Sequence, residues 1–202
     1  MIFLKGLPRL SRRKDINWIY PPTRYRTALG ILLAESDNRC VYSLVHVKDI
    51  GRKILEVDHY NPTLVHPDRN RHGNLVAASR YANGAKGDYW PTAEDLKRGL
   101  YIIDPYSEAD YGEHIFENAN TGELAGTTAT GRWHIERLDL NAEHLVLKRL
   151  DRTRFIAALK HTAYHTGSDP TGSKYQILLD TLKEFEKSYL AKTIPLLPQC
   201  AS

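Results

Sequence analysis

The stretch Glu56-Val57-Asp58-His59-Tyr60-Asn61-Pro62 decides the interpretation of this chain, together with Asn74 and Asn83 further along. The residues before Asp58 favour a β-strand, and those after it form a loop rich in proline, asparagine and charge. A hairpin would deliver Asp58 and His59 to one end of a strand, and the loop would return the chain through Asn74. A helix would then place Asn83 opposite, so that a carboxylate, an imidazole and an amide face one another.

The elements around this stretch predict an α+β fold that is mostly helical. A helix over 23–35, capped by Thr23, leads into a hairpin with strands over 40–47 and 53–58. A short helix over 74–81 follows the loop and ends at the glycines near residue 84. The remaining predicted elements are a short helix from residue 92, a second hairpin over 116–125, and helices over 129–138, 141–165 and 173–192.

Length and composition indicate a globular protein with one core and an appended lobe. The chain has 202 residues, of which 42% are hydrophobic and 26% charged, which is ordinary globular usage. No apolar run approaches the length of a transmembrane helix, and the apolar N-terminal run is too short for a signal peptide. The two cysteines exclude a disulfide framework and a cysteine-rich zinc cage. We therefore expect a soluble cytoplasmic protein that does not bind membranes.

Charge is distributed unevenly along the chain. Residues 1–40 carry eight Lys/Arg against three Asp/Glu, whereas residues 92–127 carry two against eight. A basic N-terminal segment suits a polyanion such as nucleic acid, and an acidic segment makes a poor surface for DNA. We expect a nucleic-acid substrate to approach the face formed by the N-terminal arm and the loop over 60–90. A basic face that is merely solvated is the alternative.

At Asp58-His59, Asn74 and Asn83 the chain resembles the HNH endonucleases, whose catalytic core is the ββα-metal fold. The family pattern has an acidic residue and a histidine closing a strand, a central asparagine, and a His or Asn nine residues later on a helix. The resemblance implies an HNH nuclease core with its leading helix over 23–91. A basic arm over 1–22 would precede it, and 92–202 would form an acidic segment and a C-terminal helical lobe packed on the core.

The resemblance also implies metal-dependent hydrolysis of phosphodiester bonds, with DNA as the favoured substrate. His59 would be the general base, because imidazole titrates near neutral pH. Asp58 and Asn83 would bind one divalent metal ion through oxygen, and oxygen ligands favour Mg²⁺ or Mn²⁺.

Further residues would position the catalytic groups or bind the substrate without taking part in the reaction. Asn74 would tie the loop down and thereby hold His59 in its working orientation. Lys86, Arg69 and Arg71 would contact phosphates of the nucleic acid.

The chain departs from one common version of the family, in which two Cys-x-x-Cys pairs bind a structural zinc ion. The corresponding positions here are Cys40-Val41-Tyr42-Ser43 and Ser79-Arg80-Tyr81-Ala82, with a single cysteine. We therefore expect no structural zinc, and we expect Cys40 to be a small buried core residue.

Beyond the core, the order of several residues resembles the HNH subunits of Septu-type and retron-linked anti-phage systems. This resemblance implies that the chain is the nuclease effector of a prokaryotic defence system and works with a separate ATPase of the ABC or SMC type. The residues that carry it are Asp104-Pro105, His114-Ile115-Phe116, Gly122, Leu138-Asp139-Leu140-Asn141 and Arg149.

Two alternatives stay open at the level of sequence. The substrate could be RNA, such as tRNA, because a metal site of this kind acts on the phosphodiester and not on the sugar. The chain could also be a non-catalytic subunit that binds nucleic acid or supports assembly. The presence of Asp58, His59 and Asn83 argues against the second alternative, because the fold alone does not require these residues.

Overall fold

The computed structural model describes residues 10–107, 111–166 and 173–185, and these form an α+β fold with two small antiparallel sheets. The strands are β1 (Leu55–His59), β2 (Leu75–Ser79), β3 (Ile115–Glu117) and β4 (Leu124–Gly126). The α-helices are α1 (Leu29–Glu35), α2 (Val47–Ile50), α3 (Arg80–Lys86), α4 (Ala93–Lys97), α5 (Tyr111–His114), α6 (Ala129–Arg137), α7 (Glu143–Thr166) and α8 (Ser173–Phe185). Short 3₁₀ helices cover Tyr25–Ala28, Arg52–Ile54, Asp68–Asn70 and His72–Asn74.

The first sheet and the helix that follows it form a continuous strand–loop–strand–helix unit. Strands β1 and β2 pair antiparallel, with Leu55 opposite Ser79 and His59 opposite Leu75. Helix α3 begins directly after β2, and the Ser79 side chain caps it by accepting a hydrogen bond from the Ala82 amide. The loop from residue 60 to 74 therefore starts and ends at the same edge of the unit.

The prediction of a strand over 40–47 is wrong, and so is the hairpin built on it. The segment is a tight turn in which the Leu44 amide donates to the Cys40 carbonyl and Leu44 has a positive φ of 54°. Its β-forming side chains, including Val41 and Tyr42, are buried in the core without forming a strand. Strand propensity reflects a preference for packed, half-buried surfaces, and this buried turn satisfies the same preference.

The prediction of a helix over 74–81 is also wrong in its first part, because residues 75–79 form β2. All five residues of β2 are buried, so the sequence shows no alternation of apolar and polar side chains. The small residues Ala77 and Ala78, which favour a helix locally, are compatible with a strand covered on both faces. The predicted helical position of Asn83 is nevertheless confirmed, because α3 covers it.

Most of the other predicted elements are confirmed. The first helix, the second hairpin and α6 agree with their predicted ranges within a few residues, and α7 ends at Thr166 rather than at 165. The predicted cap at Thr23 is wrong, because Arg24 occupies the N-cap position and makes no side-chain hydrogen bond there. Thr92 caps α4 through a capping box with Asp95. The predicted last helix is present as α8, and its extension to 192 lies outside the described residues, as do residues 1–9 of the arm.

The described part of the N-terminal arm is docked on the protein. Leu10 is buried, and its amide donates to the carbonyl of Pro105 at 2.8 Å. The core that receives it combines side chains from α1, the turn at 40–45, the first sheet and residues 102–103 and 138–145. Cys40 is fully buried and free, as predicted. Within the described ranges, every helix is too short or too polar to cross a bilayer.

Candidate nuclease site

Asp58 lies near the end of β1 and takes part in a buried polar cluster. Its Oδ2 accepts a hydrogen bond from the Tyr42 hydroxyl and lies 3.1 Å from Nζ of Lys86. Burial, reinforced by the neighbouring Asp58 carboxylate, raises the pKa of Tyr42 well above its ordinary value. Tyr42 therefore stays protonated and donates to Asp58 throughout the physiological range.

Lys86 does not reach the surface, so the predicted contact of Lys86 with phosphate is contradicted. Its side chain is fully buried, and Nζ donates to the carbonyls of His59 at 3.0 Å and Gly87 at 3.3 Å, beside Asp58. Residues three apart share one face of a helix, so Lys86 and Asn83 both point towards β1. The lysine thus joins α3 to the end of the strand.

Asn83 contacts β1 through Glu56 rather than Asp58. Its Nδ2 donates to Oε1 of Glu56 at 2.8 Å, which leaves Asn83 Oδ1 without a hydrogen-bond partner among the described residues. Glu56 and Asp58 are two residues apart on a strand and therefore share one face. Three side chains that carry oxygen atoms, those of Glu56, Asp58 and Asn83, thus lie where β1 faces α3.

These groups have the donor chemistry that the divalent ion implied by the resemblance would need. Carboxylate and amide oxygens are the ligands that Mg²⁺ and Mn²⁺ prefer, and Oδ1 of Asp58 also has no hydrogen-bond partner in the described part of the chain. Across the same ranges, no group of three or more His, Cys, Asp and Glu side chains is arranged to hold a metal. Any site here would therefore depend on the Asn83 amide as well as on Asp58 and Glu56.

His59 engages a different set of residues from its neighbour Asp58. Its Nε2 lies 2.9 Å from Oδ1 of Asn70, and its ring packs on Tyr25 with the two centroids 4.7 Å apart. Successive strand residues point to opposite faces, which separates the two side chains. The prediction that carboxylate, imidazole and amide face one another is therefore wrong in detail, although one unit carries all three.

Asn74 joins the two ends of the loop between β1 and β2. Its Oδ1 accepts from the Asn61 amide at 2.8 Å, while Nδ2 donates to the carbonyls of Asn61 at 3.1 Å and Arg69 at 2.9 Å. The side chain is not hydrogen-bonded to His59 itself. Any effect of Asn74 on His59 therefore passes through the conformation of the loop.

The two loop arginines differ in their availability. Arg69 is exposed, and within the described ranges its guanidinium makes no ion pair or hydrogen bond. Arg71 pairs with Asp68 at 2.8 Å and also donates to Asn17. Because the Asp68 pair is exposed, it is weak and does not prevent Arg71 from reaching a phosphate.

The N-terminal arm lies directly against this loop. Ile19 and Arg71 form an antiparallel bridge, and the Tyr20 amide donates to the Asn70 carbonyl at 3.0 Å. Trp18 is 54% exposed beside them. Residues 10–27 and 60–73 together carry seven Lys/Arg against two Asp/Glu, so the surface around His59 is basic.

Three contact residues of the site are not identifiable from the sequence. Tyr42 lies in a segment whose pattern indicates a strand, and Tyr25 lies in a predicted helix without any motif. Asn70 lies in an irregular loop, where no periodicity indicates direction. Their roles follow from packing between segments that are distant along the chain.

A cleft of about 350 Å³ between β4 and α6 contains none of the predicted site residues. The candidate site is instead an open basic surface, which suits a long polymer better than a small molecule. Comparisons of the chain with protein-family models, with curated proteins and with solved structures find no match.

Proposed function

We propose that this chain is a metal-dependent HNH-type endonuclease that hydrolyses phosphodiester bonds, with DNA as substrate. The observation that carries the proposal is the β1–β2–α3 unit. Its first strand ends in Asp58-His59, its second strand follows Asn74, and its helix carries Asn83. This order of residues along strand, loop and helix agrees with the HNH pattern and so supports the proposal.

In this proposal His59 accepts a proton from the attacking water, which then displaces the leaving oxygen at phosphorus. Asp58 and Asn83 hold the divalent ion, with Glu56 beside them. A bound Mg²⁺ or Mn²⁺ supplies neutralisation of the charge on the scissile phosphate and leaving oxygen. Asn74 acts on His59 through the loop that it closes.

Binding of the substrate is assigned to the surface formed by residues 10–27 and 60–73. Arg69 and Arg71 contact phosphates there, and Trp18 offers an exposed aromatic face beside them. Lys86 has no part in this surface, because it is buried behind β1.

The setting that we propose is a prokaryotic anti-phage defence system, in which an ATPase of the ABC or SMC type restrains or delivers the nuclease. This part of the proposal rests on the order of residues 104–149 alone.

The test is cleavage of supercoiled plasmid and of total tRNA by wild type and His59→Ala, with Mg²⁺, Mn²⁺ or EDTA. We expect nicking of plasmid by wild type with metal, none with EDTA, and a loss of about 10²- to 10⁴-fold in the variant. His161→Ala, on the exposed side of α7, is the matched control and retains full activity. Cleavage of tRNA alone would replace DNA by RNA, and equal cleavage by His59→Ala would remove His59 from the mechanism.

One observation favours a second candidate, a non-catalytic subunit that binds nucleic acid. The positive charge of Lys86 already pairs with Asp58, so the carboxylate is neutralised without any metal. Titration of the wild-type protein with Mn²⁺ separates the two candidates. Binding that Asp58→Asn weakens supports the nuclease, and the absence of binding together with the absence of cleavage supports the silent subunit.

A further inference from the structure

We infer that Asn70 is a positioning residue that holds the His59 imidazole as the Nε2–H tautomer and so leaves Nδ1 as the nitrogen that accepts the proton. The inference rests on the proposed function for its catalytic meaning, but the tautomer itself is a property of the folded protein.

The first argument is the contact between the two side chains. Oδ1 of Asn70 lies 2.9 Å from Nε2 of His59. An amide oxygen only accepts hydrogen bonds, so the ring nitrogen that faces it must carry the proton. In a neutral imidazole the other nitrogen, Nδ1, then holds a lone pair.

The second argument is that Asn70 is itself held in place. It is 4% exposed and ends a short 3₁₀ helix, where its amide donates to the Pro67 carbonyl. Its own carbonyl accepts from the Tyr20 amide of the arm at 3.0 Å. The acceptor that His59 meets is therefore fixed by backbone contacts from two separate segments.

The third argument is that the ring has little freedom to turn away. Tyr25 packs against the imidazole at 4.7 Å between centroids, with an angle of 42° between the ring planes. The Arg26 guanidinium also lies over the Tyr25 ring, 5.3 Å from its centroid. Packing on one face and a hydrogen bond at one edge define both the orientation and the tautomer of His59.

The assignment concerns Asn70 and not Asn74, the asparagine of the HNH pattern. Asn74 binds backbone at Asn61 and Arg69, and Asn70 is the next residue after Arg69. Asn74 thus fixes the conformation of the loop, and Asn70, which lies in that loop, makes the hydrogen bond to the imidazole.

The experiment uses the full-length protein without added metal and reads the histidine ring nitrogens by ¹⁵N NMR at a pH where imidazole is neutral. The unprotonated and protonated nitrogens resonate far apart, so the tautomer is read directly. His59→Gln identifies the His59 signals. His134 is the internal standard, because the Ile103 amide donates to its Nδ1 and makes it an Nε2–H tautomer.

We expect wild-type His59 to be the Nε2–H tautomer. Asn70→Ala should convert it to a mixture, and Asn70→Asp, which keeps an acceptor oxygen, should retain the wild-type form. An Nδ1–H tautomer in wild type would overturn the inference without any variant, and so would an unchanged tautomer in folded Asn70→Ala.

Cleavage of plasmid by the same variants tests the catalytic meaning. Asn70→Ala should lower the turnover rate by about 10- to 100-fold with unchanged Mn²⁺ affinity, and Asn70→Asp should recover most of it. An altered tautomer with wild-type cleavage would overturn the positioning role while the nuclease proposal stands. A wild-type protein that does not cut would end the nuclease proposal, and the NMR result would still decide the tautomer.

Discussion

Asn74 is the polar side chain that links the two ends of the loop between β1 and β2. It makes three hydrogen bonds to backbone groups of Asn61 and Arg69. Removing them leaves partly buried backbone groups without partners, because the loop has no sheet ladder to replace them.

We predict that Asn74→Ala lowers the free energy of unfolding by about 2–4 kcal/mol, measured by urea unfolding. Asn120→Ala, an exposed asparagine in the second hairpin whose side chain makes no comparable contact, should change it by less than about 0.5 kcal/mol. An unchanged midpoint for Asn74→Ala would show that the loop does not depend on it.

The ion pair between Asp58 and Lys86 leads to a prediction that separates stability from metal binding. Asp58→Asn leaves a fully buried ammonium without its carboxylate, which should cost about 3 kcal/mol of stability. Adding Lys86→Met should recover most of that stability, because the unpaired charge is gone. Calorimetric titration with Mn²⁺ should show weak binding for both variants, and restored affinity in the double variant would exclude Asp58 as a ligand.

At the scale of elements, α6 packs unusually close to the second hairpin. A Cβ added at Gly131 would lie 1.9 Å from the His114 carbonyl oxygen, and one at Gly126 would lie 2.2 Å from the Arg132 amide nitrogen. Two glycines thus allow α6 to approach strand β4 and the end of α5 at backbone distance.

We predict that Gly131→Ala lowers the free energy of unfolding by about 2 kcal/mol or more, because α6 must move away from the chain at His114. Gly84→Ala is the matched control, since Gly84 lies within α3 and an added Cβ meets nothing within 4 Å. This variant should raise stability by up to about 1 kcal/mol through helix propensity. Equal effects of the two variants on the melting temperature would contradict the close packing.

Which elements could be predicted follows from how each one is buried. Helix α6 begins at a clear cap, Thr128, and the second hairpin turns at Asn118–Gly122, so local signals suffice. Strand β2 has no such signal, because both of its faces are covered and its alanines favour a helix. The turn at 40–45 has strand-forming side chains and a positive φ at Leu44, which sequence does not reveal.

The residues of the candidate site also fall into two groups, those that the sequence identifies and those that it does not. Asp58, His59, Asn74 and Asn83 are identifiable from order and spacing, because the pattern is local to one unit. Order and spacing do not reveal the buried position of Lys86 or the contact of Asn70 with His59. Each depends on how distant segments pack.

At the scale of the whole molecule, one buried histidine on α6 links two core segments that are distant along the chain, at Ile103 and Tyr42. His134 on α6 accepts a hydrogen bond from the Ile103 amide, and Nε2 faces the Tyr42 carbonyl. Burial lowers the pKa of His134 from 6.5 to about 4. The folded protein therefore binds fewer protons here than the unfolded chain does between these two values.

Stability should consequently fall as pH drops from about 6.5 to about 4, by up to roughly 3 kcal/mol from this residue. In His134→Asn, which keeps an acceptor for the Ile103 amide, this part of the pH dependence should disappear. Urea unfolding of both proteins between pH 4 and 7 measures it. Parallel curves for the two proteins would show that His134 is not the cause.

The bridge between Ile19 and Arg71 bears on whether the β1–β2–α3 unit can be moved into another protein. Residues 18–20 lie outside the β1–β2–α3 unit, yet they hold the loop segment 70–72 that contains Asn70. A fragment cut out at the borders of the unit would keep all four residues of the HNH pattern and lose the support behind His59. The module that we propose as catalytic is therefore discontinuous along the chain, and a transplant into another protein must include the arm.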